Sequence, residues 1–154
     1  MTSKNLSEEQ PKKILVVDDE QDITTVIKKG LESEGFIVET STKPLEVLKS
    51  YKPGSFDLLL LDLRMPEING FELYRKIREL DSKVKVCFIT AFEIYFDEFR
   101  RVFPKIHVSC FVQKPITISK LAEIICAELA RPLEQEDEPA ITQVRHNDLD
   151  SKRL

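Results

Sequence analysis

A chain of 154 residues, 42% hydrophobic and 32% charged, is sized for a single domain that buries roughly two-thirds of its unfolded surface. Its net charge of -4 lacks the basic excess that a nucleic-acid or anionic-membrane surface demands. No apolar run approaches the ~20 residues that span a bilayer, and residues 1–12 lack a signal peptide's apolar core, so a cytoplasmic protein is expected.

Residues 1–12 are polar and read as a disordered lead-in to a domain over 13–131. Residues 14–17, ILVV, are apolar on both faces, which predicts a strand buried in the middle of a parallel sheet. That strand breaks into acid at Asp18, Asp19 and Glu20. A helix follows, with Asp22 as its expected N-cap, Ile23, Val26, Ile27 and Leu31 on one face, and Gly35 as its stop. Residues 36–40 alternate and suit an edge strand, and Pro44 opens a short helix over 43–50.

After the Pro53-Gly54 break comes FDLLLLDLRMP, residues 56–66. Leu58 to Leu61 predict a second fully buried strand, ending on Asp62, with Pro66 preventing its continuation. A carboxylate where a buried strand surfaces is costly unless something meets it. A helix carrying Phe71, Leu73, Tyr74, Ile77 and Leu80 follows, and then a strand over 84–90 that ends on Thr90. Residues 92–103 read as a helix with Phe92, Tyr95, Phe96, Phe99, Val102 and Phe103 on one broad face and Ile94 opposite. A fifth strand over 108–112 reaches Gln113 and gives way to Lys114-Pro115, and a last helix over 117–130 is capped by Thr117 or Ser119. Three dispersed cysteines, Cys87, Cys110 and Cys126, form no CxxC pair and read as small buried hydrophobes, and two isolated histidines, His107 and His146, suggest no metal centre.

Strand and helix thus alternate five times, which predicts a doubly wound α/β sheet of five parallel strands with five helices on its two faces. In such sheets the working site lies beyond the carboxyl ends of the strands, where the strand order reverses. Asp18 and Asp19, Asp62, Thr90 and Lys114 each follow or end a different strand at that edge. Any one alone is ordinary: a solvated loop acid, a strand threonine, a surface lysine. Together they describe one polar pocket. Its clustered carboxylates need a cation, and oxygen donors without histidine or cysteine suit magnesium, with manganese as a substitute. Within that pocket Asp62 is either a metal ligand alone or also a nucleophile that attacks phosphorus.

These residues resemble the receiver domain of two-component response regulators over about residues 12–131, through Asp18-Asp19 in VVDDE, Asp62 in LLLLDLRMP with ING following, Thr90 in FITA, and Lys114-Pro115 in FVQKP. The resemblance implies a flavodoxin-like strand order 2-1-3-4-5, with Asp62 as phosphoacceptor for a sensor histidine kinase or a histidine phosphotransfer protein. It implies magnesium held by Asp19 and Asp62, by Asp18 partly through water, and by the backbone carbonyl of Arg64. Lys114 would pair with the phosphoryl group across a cis bond to Pro115, while Thr90 and Phe111 would act as the switch. Such a protein catalyses its own phosphorylation and dephosphorylation and turns over no separate substrate. Its output would be a protein partner, and a homodimer through the aromatic helix and fifth strand, around Ile94, is a further expectation.

The loop before the fifth strand, FPKIHVSC, departs from the family by lacking a small Gly/Ala turn. Residues 132–154 are acidic, sparse in large apolar residues and too short for a folded second domain, so a disordered tail and a stand-alone receiver are expected. A phosphorelay intermediate or phosphate sink is the variant reading. An aspartate-nucleophile phosphohydrolase fits less well, because it needs a second acid two residues after the nucleophile, where Arg64 stands. Flavin binding is disfavoured by DDEQD, which would repel a phosphate.

Overall fold

The computed structural model describes residues 10–91, 101 and 111–132. Within them, β-branched and leucine-rich runs form β1 (Lys13–Val17), β2 (Ile37–Ser41), β3 (Leu58–Asp62), β4 (Lys85–Thr90) and β5 (Phe111–Gln113). They make one sheet in the order β2-β1-β3-β4-β5, every pair parallel. Four helices connect or follow them: α1 (Gln21–Ser33), α2 (Pro44–Ser50), α3 (Gly70–Leu80) and α4 (Ile118–Ala130). This is the flavodoxin-like doubly wound sheet. The fifth predicted helix, with Ile94, lies outside the described residues except for Arg101, which is helical. His107, Cys110, His146 and the tail beyond 132 also lie outside them.

The all-apolar strands are explained by two cores. Ile14, Val16, Leu58, Leu60, Cys87, Ile89 and Val112 point to one face, against Ile27 and Leu31 of α1 and Leu121, Ala122 and Ile125 of α4. Leu15, Val17, Leu59, Leu61, Val86 and Phe88 point to the other, against Val47 of α2 and Leu73, Tyr74 and Ile77 of α3. Side chains alternate along a strand, so only a sheet covered on both sides buries all four leucines of β3. Each contributes about 1.5–3 kcal/mol by leaving water. The edge strand β2 is partly sealed where Lys28 Nζ donates to the carbonyl of Val38 at 2.8 Å.

Local chemistry sets the helix ends. Asn69 caps α3 by accepting from the Glu72 amide at 2.8 Å, and Thr117 caps α4 by accepting from the Lys120 amide at 3.1 Å. Gly35 leaves α1 with a φ of +101°, the left-handed conformation that favours glycine at a helix end. The cap expected from Asp22 is not formed: α1 begins two residues earlier, behind Glu20, whose side chain makes no cap bond, and Asp22 sits in the first turn. With that start the buried line runs through Thr24, Ile27 and Leu31, which leaves Val26, expected on the inner face, 60% exposed. Leu80, at the end of α3, is also exposed. Cys126 is exposed rather than buried, because the inner line of α4 passes through Leu121, Ala122, Ile125 and Glu128.

Two glycines mark close approaches. Gly30, in mid-helix, lies against Ile118, whose side-chain carbons would stand 2.6–2.7 Å from a Cβ built there. Gly70 lies against the main chain at the end of β3: a Cβ there would collide with the Asp62 carbonyl oxygen and come within 3.2 Å of Leu63 Cα.

Candidate functional site

Strand order reverses between β1 and β3, since the chain leaves β1 for β2 on one side and leaves β3 for β4 on the other. The crevice beyond their carboxyl ends is the place where this fold exposes functional groups. Asp18 and Asp19 follow β1 directly, and Asp62 is the last residue of β3. Asp62 is in register with Ile89, one residue before Thr90, and Thr90 is in register with Gln113, one residue before Lys114. Register alone therefore gathers all five polar positions at one edge. The Lys114 amide donates to the Thr90 carbonyl at 2.8 Å, extending the ladder past β5, and the Lys114–Pro115 peptide is cis.

Carboxylate oxygens of Asp18, Asp19 and Asp62 lie within 4.8 Å of one another. Asp18 and Asp62 are buried, whereas Asp19 is exposed. Asp18 is held on both oxygens: Oδ1 accepts from the Glu20 amide at 2.9 Å and Oδ2 accepts from Lys114 Nζ at 3.0 Å. Its own amide donates to the Ser41 carbonyl at 3.2 Å, which ties the acidic turn to the end of β2. Lys114 Nζ also stands 3.7 Å from Asp62 Oδ1. Among the described residues Lys114 thus pairs with two of the three carboxylates, and the cluster holds more acid than base.

The electrostatics follow. Burial and then the neighbouring Asp18 charge push the Asp62 carboxyl up to about 6, with Asp19 adding to the rise, while Lys114 and the Leu63 amide pull against them. For Lys114, desolvation is the largest single effect and pulls its pKa down. The hydrogen bond to Asp18 and the charges of Asp18, Asp62 and Glu20 outweigh it, so the ammonium is held above its ordinary range and stays charged. Thr90 is fully buried at the end of β4. Arg64 is exposed in the loop after Asp62. That loop contains a three-residue turn: the Ile68 amide donates to the Pro66 carbonyl at 2.8 Å, and Glu67 between them has a φ of +75°.

Phe111 opens β5 half-buried, stacked on Phe88 at 5.4 Å and edge-on to Phe71 at 5.9 Å. Gly70 is a positioning residue that sequence reasoning passed over. Its signal was present in the ING motif, but only the approach of α3 to the Asp62 carbonyl explains it.

The fold and site define an α/β protein with an acidic, lysine-bearing crevice at the switch point of a doubly wound sheet. Residues 14–126 match the family described as the response regulator receiver domain, and the chain belongs to that family. It is the receiver domain of two-component response regulators. The chain is 34% identical over 116 residues to the uncharacterized transcriptional regulatory protein YkoG of Bacillus subtilis, covering 75% of this chain and 50% of that one. It is 43% identical over 79 residues to the transcriptional regulatory protein CpxR homolog of Haemophilus influenzae, covering 51% and 34%. The chain therefore spans half or less of the length of these relatives.

Among solved structures, a CheY-like response regulator receiver domain protein of Methanospirillum hungatei superposes with a TM-score of 0.66 at 29% identity, over 78% of this chain and 94% of that one. The response regulator TrrA of Thermotoga maritima, solved in complex with Mg(2+)-BeF, superposes with a TM-score of 0.63 at 31% identity, over 75% and 97%. No helix among the described residues is long and apolar enough to cross a membrane.

Proposed function

We propose that this chain accepts a phosphoryl group on Asp62 from a histidine kinase or histidine phosphotransfer protein, in a magnesium-dependent reaction, and thereby changes its affinity for a protein partner. The observation that carries this reading is the gathering of the Asp18, Asp19 and Asp62 carboxylates within 4.8 Å beside the Lys114 ammonium. The donor set fits a divalent cation: it is all oxygen, carries excess negative charge, and has one carboxyl pushed up by burial and by its acidic neighbours. Asp19 and Asp62, with the Arg64 carbonyl, would hold the ion directly. Asp18, whose two oxygens already accept from Glu20 and Lys114, would act through water. When bound, magnesium neutralises charge on the transferring phosphoryl oxygens. The similarity to TrrA, solved with Mg(2+)-BeF, supports this assignment.

The protein's own groups do the rest. An Asp62 oxygen forms a bond to phosphorus as the bond to the donor nitrogen breaks, the electron pair leaving with the imidazole. Lys114, held protonated, is placed to turn from the Asp62 carboxylate to a phosphoryl oxygen. Thr90, ending the adjacent strand, is the hydroxyl donor that would close on the phosphate and move Phe111 with it. Arg64, two residues beyond the acceptor, would overhang the pocket and set the lifetime of the acyl phosphate.

Incubation with acetyl phosphate and magnesium tests the reading by intact mass: wild type gains one phosphoryl group and Asp62→Asn gains none. Equal labelling of both removes Asp62 as acceptor. A partner pull-down that is identical for phosphorylated and unphosphorylated protein removes the switch.

A further inference from the structure

We propose that Phe71 is a positioning residue that ties the packing of Phe111 to the backbone of the acceptor Asp62. The inference rests on the function proposed above and assigns, beside Thr90, a contact through α3 that the movement of Phe111 also requires.

Phe71, Phe88 and Phe111 form a closed triangle of rings. Phe71 meets Phe88 edge-on at 5.0 Å and 74°, Phe71 meets Phe111 edge-on at 5.9 Å and 90°, and Phe88 stacks on Phe111 at 5.4 Å and 29°. The three differ in freedom. Phe88 is completely buried and is held from a further side by Tyr74 at 5.9 Å, so it is a fixed wall. Phe71 and Phe111 are half-buried at the rim. Within this triangle Phe111 leans on one fixed ring and on one at the half-buried rim.

The half-buried neighbour, Phe71, is tied to Asp62. Phe71 follows Gly70, whose amide donates to the Leu63 carbonyl at 3.0 Å and whose Cα leaves no room for a Cβ against the Asp62 carbonyl. The Asn69 cap fixes the same turn of α3. A displacement of the peptide after Asp62 is thus carried into the first turn of α3 and moves the Phe71 ring. Edge-to-face contacts are directional, so a moved Phe71 changes which arrangement of Phe111 is favoured. Tyr74, one turn along α3, packs edge-on against Phe88 at 5.9 Å. It serves as a packing control.

The chain contains no tryptophan, so Phe111→Trp supplies a single emission reporter. Acrylamide quenching of Trp emission is measured with and without beryllium fluoride and magnesium, and acetyl phosphate labelling at Asp62 is followed in parallel. In the Phe111→Trp parent, labelling is retained and the quenching constant changes about twofold on activation. Adding Phe71→Ala keeps the labelling and the melting transition but abolishes the quenching response, while adding Tyr74→Leu leaves the response in place. A response that survives Phe71→Ala, or one lost equally in Tyr74→Leu, overturns the proposal. Loss of labelling in Phe71→Ala overturns it too, by placing Phe71 in the chemistry. Labelling without any emission change in the parent shows that the ring does not follow the acceptor. Absence of labelling in an otherwise wild-type chain is the separate result that removes the underlying function.

Discussion

The Asp62 carboxylate is held at a cost to the fold. Burial beside Asp18 raises its carboxyl to about 6, so the folded state binds the proton more tightly than the unfolded chain, where an aspartate titrates near 4. Ionisation then costs stability from about pH 4 upward, and the full penalty is present above about pH 6. Asp62→Asn removes it: without metal, the variant should be about 1–3 kcal/mol more stable than wild type at pH 7. Urea denaturation in EDTA should show that gain shrinking to nothing below about pH 4, and a gain unchanged at low pH would refute the charge argument. Glu67 carries a different strain, a φ of +75° in the turn that follows Asp62. Glutamate tolerates that conformation poorly, so Glu67→Gly should stabilise the protein by about 0.5–1 kcal/mol. A lower urea midpoint in the glycine variant would show that the turn is not strained.

At the scale of elements, the packing of α1 on α4 sets a test between two opposed effects. Alanine is favoured over glycine in a helix interior by about 1 kcal/mol, so propensity alone predicts that Gly30→Ala stabilises α1. The side chain of Ile118 fills the space a Cβ would need, and overpacking of that kind costs about 1–3 kcal/mol. Sterics should win, with Gly30→Ala lowering the denaturation midpoint and Ile118→Ala in the same chain restoring part of it. Additive losses in the double variant would mean the two residues do not compete for space.

For the molecule as a whole, the site joins ends of β1, β3, β4 and β5, so whatever compensates its charge stabilises the whole sheet. A ligand that binds only the folded state adds about 2.7 kcal/mol at a hundredfold excess over its Kd. Magnesium should therefore raise the melting temperature of wild type in a concentration-dependent way. Asp19→Asn, which leaves the buried Asp18–Lys114 pair intact, should need far more magnesium for the same shift. An identical titration for both would move the ligand role away from Asp19.

The sequence by itself determined the class of fold and which polar residues gather at one edge of the sheet. Runs of four apolar residues can be buried only between two helical layers, and each of Asp18, Asp62 and Thr90 directly follows such a run, so local pattern fixes which end of the strand it occupies. Expectations that depended on the rotation of a helix were the ones revised. Asp22 lost the cap because α1 begins at Gln21, and Val26 and Cys126 face outward because the sheet meets α1 along Thr24, Ile27 and Leu31 and α4 along Leu121, Ala122 and Ile125. Tertiary structure alone decided that Asp18 is locked between Glu20 and Lys114, that Gly70 must lack a side chain, and that Phe71 leans on Phe111. Each of these is a contact between segments distant in the chain or on different elements, and its energy depends on distances of a few tenths of an ångström that no local pattern encodes.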